Sequence, residues 1–128
     1  MKIAVLVSRI ILGLVFVVFG FNGFLQFLHM PMPTGLPAQF MGALYESHYY
    51  IVIFAAQIIG GALLLSGYYV SLGLTILGPL LVNILTFHAT MAPAGLPMAI
   101  LWTILWFIVF IGYRQAFAGI LTPKAPLP

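Results

Sequence analysis

Only five side chains in this 128-residue chain carry a full charge at neutral pH: Lys2, Arg9, Glu46, Arg114 and Lys124. Charged residues make up 4% of the sequence. An ordinary soluble domain carries about 25%. Hydrophobic residues account for 64%. So few charges cannot clothe a globule that faces water. Most of the surface must meet an apolar solvent, and the lipid bilayer is that solvent. The reading that follows is an all-α membrane protein, a single domain over residues 1–128. Four spans of about 20 residues each nearly exhaust the length.

The net charge of +3 does not point to nucleic acid. Its four basic residues stand singly near the chain ends and form no patch or stripe. That placement fits the positive-inside rule instead. With no cysteine, there is no disulfide, thiolate nucleophile or cysteine-ligated cluster. The apolar run that follows Lys2 is too long for a signal peptide, contains Arg9 and lacks a small-x-small cleavage site after it. It reads as a retained first span.

The expected spans are residues 3–28, 48–66, 70–89 and 98–117. The first is longer than the hydrocarbon core needs, so it should tilt or project. Between His29 and Pro37, three prolines and a glycine exclude helix and make an outer loop. Phe40, Met41, Leu44 and Tyr45 then recur at near-helical spacing, which predicts a short interfacial helix over 38–47. Gly67 with Tyr68 and Tyr69 forms a tight turn, so the second and third spans make an antiparallel hairpin. Pro79 should kink the third span. A second outer loop follows over 91–97.

Lys2 and Arg9 open the first span, and Arg114 and Lys124 close the fourth. Both ends therefore belong in the cytoplasm, and the chain reads as a multi-pass protein of the bacterial inner (plasma) membrane. Lipid gives no hydrophobic drive for helix association, so close packing and polar contacts must supply it. Gly13 and Gly20, Gly60 and Gly61, and Gly73 and Gly78 allow close backbone approach. Trp102, Trp106, Val109 and Tyr113 form a stripe on the fourth span. That stripe is a packing seam or a surface for lipid or a partner.

Once the spans are oriented, the intramembrane amides gather in the outer half. Asn22 and Gln26 lie one turn apart on the first span. Gln57 sits near the middle of the second, and Asn83 and Thr86 lie in the outer part of the third. His29, His48 and His88 fall at the outer boundary, with Glu46 beside His48. Amides in lipid are costly unless paired, so they are expected to face the interior. Two readings follow. Asn22, Gln26, Gln57 and Asn83 hydrogen-bond one another or backbone and lock the helices together, or they join His88 around a quinone headgroup in an apolar sleeve. His29, His48, His88 and Glu46 are the only metal-ligating candidates, but they come from separate segments without an HxxxH or HxH spacing, and no metal site is expected. A single glutamate leaves no carboxylate pair for acid–base work, and phosphate loops and nucleophile elbows are missing. Self-contained catalysis is therefore not expected. No intramembrane acid supports proton-coupled transport.

Several ordered pieces carry a resemblance: Ser8-Arg9 through Gly13 with Phe16, Gly20 and Asn22; Gln57 with Gly60-Gly61; Gly78-Pro79 through Asn83, Phe87 and His88; Gly95-Leu96-Pro97; and Arg114 to Phe117. Together they resemble the DoxX-like family of small four-helix bacterial membrane proteins, over roughly 8–121. That family includes the membrane subunit of a thiosulfate:quinone oxidoreductase and partners in oxidative-stress membrane complexes. The resemblance implies a four-helix fold and a link to quinone-dependent redox systems. One departure matters: many relatives carry glutamate where this chain has Gln57, which argues against proton chemistry there. The leading expectation is a non-catalytic accessory subunit of a larger respiratory or photosynthetic electron-transfer complex, with lipid and larger membrane subunits as partners. The alternative is the membrane subunit of a quinone-linked oxidoreductase, with quinone bound by Asn22, Gln57, Asn83 and His88. Beyond quinone or lipid, no cofactor is expected.

Overall fold

The computed structural model describes all 128 residues and is all-helical. Its α-helices are α1 (Lys2–Leu25), α2 (Leu36–Glu46), α3 (Tyr50–Ser66), α4 (Val70–Thr90) and α5 (Leu96–Gly112), with short 3-10 turns at Pro93–Gly95 and Arg114–Phe117. Helices α1, α4 and the segment Pro93–Gly112 are each long and apolar enough to cross a membrane. Helix α3 has 17 residues, about 26 Å at 1.5 Å per residue. It passes the same test only together with α2, from which it is bent by 89°.

Local chemistry sets the helix ends. Helix α1 stops at Leu25, earlier than the expected residue 28, because Gln26 takes a left-handed conformation at φ 50°, ψ 44°. The Asn22 side-chain oxygen then accepts the Leu28 N–H at 2.8 Å and holds the chain as it leaves the helix. His48 is also left-handed, at φ 66°, so α3 begins at Tyr50 rather than at 48. The turn after α3 uses Gly67 at φ 77° and Tyr69 at φ 56°. Pro97 stands in the first turn of α5, where its missing N–H costs nothing. Helix α5, the fourth expected span, therefore starts at Leu96 rather than at 98. It ends at Gly112, and residues 114–117 form a separate tighter turn.

Helices α1, α3, α4 and α5 close a ring in which α3 packs on α1 and α4, and α5 packs on α4 and α1. Lys2, the Gly67 turn and Arg114 share one end of this bundle, the basic end. Helix α2 lies across the opposite end, the α2 end. The core holds Leu12, Phe16, Leu64, Val70, Leu74, Leu77, Leu81 and Val109, most of them in the basic half.

Small residues allow the closest approaches. A Cβ on Gly61 would lie 2.8 Å from the Gly13 carbonyl oxygen, and one on Gly13 would lie 2.9 Å from that of Gly61. Helix α3 meets α4 in the same manner, since a Cβ on Gly73 would lie 3.0 Å from the Gly60 oxygen. Such contacts maximise packing where the solvent supplies no hydrophobic drive. The stripe on α5 resolves as a packing seam. Trp102 lies against Phe16 and Phe19, Val109 is fully buried, and Tyr113 packs against the core.

Pro79 deprives the Thr75 carbonyl of its usual donor. Beside this break, the Trp106 indole N–H reaches across from α5 and donates to the Leu74 carbonyl at 3.0 Å. An interhelical hydrogen bond thus forms where the α4 ladder is weakest.

Candidate functional site

The α2 end is lined by rings. Tyr45 stacks on Tyr50 with centroids 4.5 Å apart and also touches Phe54. Its hydroxyl donates to the Gly23 carbonyl at 2.9 Å, which ties α2 to α1. At the other end of α2, Phe40 meets Phe87 of α4 with centroids 5.4 Å apart. Helix α2 buries none of its residues, so these few contacts hold it over the bundle mouth.

The polar side chains expected to form a pocket are distributed differently. Gln57 lies on the inward face of α3 and is only 7% exposed, and its amide has no hydrogen-bond partner in the chain. Asn22 is half-buried and serves the end of α1 as described above. Gln26 is exposed in its left-handed position. His88 is half-buried, its Nδ1 2.8 Å from the Ile84 carbonyl, and its ring rests against Gly95. Asn83 faces away from the bundle, and its amide N–H donates to the Pro79 carbonyl at 2.9 Å. Of the two kinds of hydrogen bond expected of the four amides, to one another or to backbone, the structure contains only the second, and it joins no two spans. Asn22 and Asn83 bond to backbone near themselves, and Gln57 stays single.

Asn83 belongs to a pattern that the linear sequence hides. Thr75, Pro79, Asn83, Thr86 and Thr90 succeed one another at intervals of four or three residues, and all are exposed. At 3.6 residues per turn they span an arc of about 80° on the outward face of α4. Each polar member is bonded to the carbonyl four residues back: Thr75 to Ser71, Asn83 to Pro79, Thr86 to Val82 and Thr90 to Thr86. Back-bonding satisfies the hydroxyl donors but leaves the oxygens free to accept. Asn83 keeps its carbonyl oxygen and one N–H for another partner. Three threonines, a proline and an asparagine at intervals of four, four, three and four residues are the sequence signal that would have found this stripe.

A shallow groove of about 200 Å³ adjoins the stripe between α4 and α5, lined by Gly78, Leu81, Val82, Leu85, Thr103, Trp106 and Phe107. A second cleft, of about 350 Å³, opens at the basic end between α1 and the end of α5. Neither is lined by Asn22, Gln26, Gln57, Asn83 or His88. No three of His29, His48, His88 and Glu46 come together as metal ligands. The His48 ring instead approaches the Glu46 backbone carbonyl.

Comparison with family models, with curated proteins and with solved structures returns no match.

Proposed function

We propose that this chain is a small four-span subunit of the bacterial inner membrane that packs through α4 against a larger membrane protein and does no chemistry alone. In this reading α3 crosses the membrane as the fourth span, and the basic end faces the cytoplasm, as the positive-inside rule favours. The outward polar stripe of α4 is the observation that carries the proposal. Threonine and asparagine turned toward lipid gain little there, whereas a neighbouring helix offers their spare acceptors and the Asn83 amide interhelical hydrogen bonds. The groove beside the stripe would receive the side chains of that helix. The lack of a converging acid, base or nucleophile supports an accessory rather than a catalytic role. The resemblance to the DoxX-like family makes a respiratory or photosynthetic electron-transfer complex the expected partner class.

Purification in mild detergent tests this. The chain is expected to emerge in fixed ratio with a larger redox complex. Asn83→Leu is expected to reduce that recovery at least about tenfold, the effect of roughly 1.4 kcal/mol, while the isolated chain keeps its helicity. A chain that purifies alone, or a partner held equally well by the variant, would count against the proposal.

Gln57 favours a second reading. An inward-facing amide with a free donor is suited to a quinone carbonyl in an apolar sleeve. Helix α2, held by a few rings and one hydrogen bond, would cover such a ligand. Bound quinone that survives in Asn83→Leu but disappears in Gln57→Leu would support this alternative. Quinone retained in both variants would remove it.

A further inference from the structure

We propose that the cleft at the basic end is a binding site for the phosphate group of an anionic phospholipid. Met1, Lys2, Val5 and Leu6 of the α1 end form one wall, and Gly112, Tyr113 and Arg114 form the other. Its volume of about 350 Å³ lies within the usual range of small-ligand sites, roughly 300–1,000 Å³. Two cationic residues therefore line one cleft, Lys2 from the start of α1 and Arg114 from the 3-10 turn after α5.

Neither cation is neutralised by the chain. The only acidic side chain, Glu46, ends α2 at the opposite end of the bundle. Arg114 uses one guanidinium nitrogen on the Ile111 carbonyl, at 2.8 Å, which orients the group and leaves its other donors free. Lys2 and the half-buried Tyr113 hydroxyl make no side-chain hydrogen bond in the structure. The first turn of α1 has no side-chain cap, so its free N–H groups and the positive end of the helix dipole add to the same field. Together these groups would meet an anion with charge-assisted donors from several directions.

The walls say which kind of anion. Val5 and Leu6 make the α1 side of the cleft apolar, and the surface continues along Leu6 and Ile10, which are 47% and 39% exposed. A soluble phosphate would leave that surface unused. A phospholipid would place its phosphate between Lys2 and Arg114 and lay an acyl chain along α1. Basic pockets between membrane helices recognise anionic headgroups on this principle.

Native mass spectrometry of the detergent-solubilised protein, titrated with phosphatidylglycerol or phosphatidylcholine, reads this directly. One phosphatidylglycerol per chain is expected to bind in preference to phosphatidylcholine. Lys2→Gln and Arg114→Gln should each weaken it about fivefold, and the double variant should weaken it by more than about twentyfold. Lys124→Gln removes a charge from the same end outside the cleft and should change binding less than about twofold. Circular dichroism checks that each variant keeps its helices, which is expected because Lys2 and Arg114 are exposed. Equal binding of the two lipids would overturn the proposal, as would a Lys124→Gln effect as large as that of Lys2→Gln. Excess inorganic phosphate should leave the lipid adduct intact. If inorganic phosphate displaces the lipid and binds alone, the lipid assignment falls and the cleft is a site for free phosphate.

Discussion

In the basic half of the bundle, α3 meets its neighbours backbone to backbone, at Gly13 with Gly61 and at Gly60 with Gly73. In the α2 half, side chains enter more of the space between α1 and α3. There Gly20 admits the Ile58 side chain, with the Phe54 carbonyl oxygen and Ile58 nitrogen 3.2 Å from where its Cβ would stand, Gly23 receives the Phe54 ring, and Tyr45, Tyr50 and Phe54 fill the mouth. The basic half is closed by leucines that are almost wholly buried. The α2 half holds the one inward-facing amide without a partner, Gln57, and is capped by a helix with no buried residue. Direct backbone approach leaves little room for adjustment, because a carbonyl cannot change rotamer. Aromatic contacts can slide and reopen. The basic half is thus the more closely packed support, and the α2 half the more adjustable region.

Breaking the rigid half should have the largest effect. Gly61→Ala places a Cβ against the Gly13 carbonyl and is expected to destabilise the bundle by about 1–3 kcal/mol in detergent unfolding. Gly42→Ala in α2 meets no atom within 4 Å and should leave unfolding unchanged or slightly improved. Similar losses from both variants would erase the contrast between the halves. Trp106→Phe keeps a ring beside Phe110 but removes the donor to Leu74, and about 1 kcal/mol should be lost.

Smaller effects belong to the α2 half. Tyr45→Phe loses the bond to Gly23, and less than about 1 kcal/mol of global stability should go with it. Its clearer signature is faster amide hydrogen exchange confined to 36–46, where α2 lies. Exchange that rises throughout α1 instead would show that α2 is part of the rigid structure. Gln57→Leu should be close to neutral for unfolding in the absence of ligand, because the amide it removes has no partner to lose. A loss of 2 kcal/mol or more, well above the roughly 1 kcal/mol of an ordinary hydrogen bond, would mean that Gln57 is a structural group.

Much of the fold was legible in the residues. The proline-rich loop after α1, the short helix around Phe40 and Tyr45, the Gly67 turn and the four long helices all follow from local rules. Helix ends were less legible, since Gln26 and His48 are non-glycine residues in left-handed conformations that no motif announces. The candidate site was legible only in part. Gln57 is buried as the cost of an amide in lipid requires. Asn83 escapes that argument because Pro79, one turn below, supplies a carbonyl to its N–H and lets the side chain face outward. Tyr45 was legible as a ring on the apolar face of a short helix, but its bond to Gly23 depends on where α2 lands. The cleft between Lys2 and Arg114 joins residues from nearly opposite ends of the sequence.

The sequence by itself determined the solvent, the helical class and the antiparallel order of the segments. Those follow from the scarcity of charge, from the need to satisfy the backbone in lipid and from short connections at glycine and proline. Only the tertiary structure decided which face of each helix looks inward. In water that choice is written as an apolar stripe opposite a polar one. In a bilayer both the interior and the surroundings are apolar, so the stripe carries no direction. Shape then settles the matter, through glycines that let backbones touch and through carbonyls that quiet a polar side chain in place.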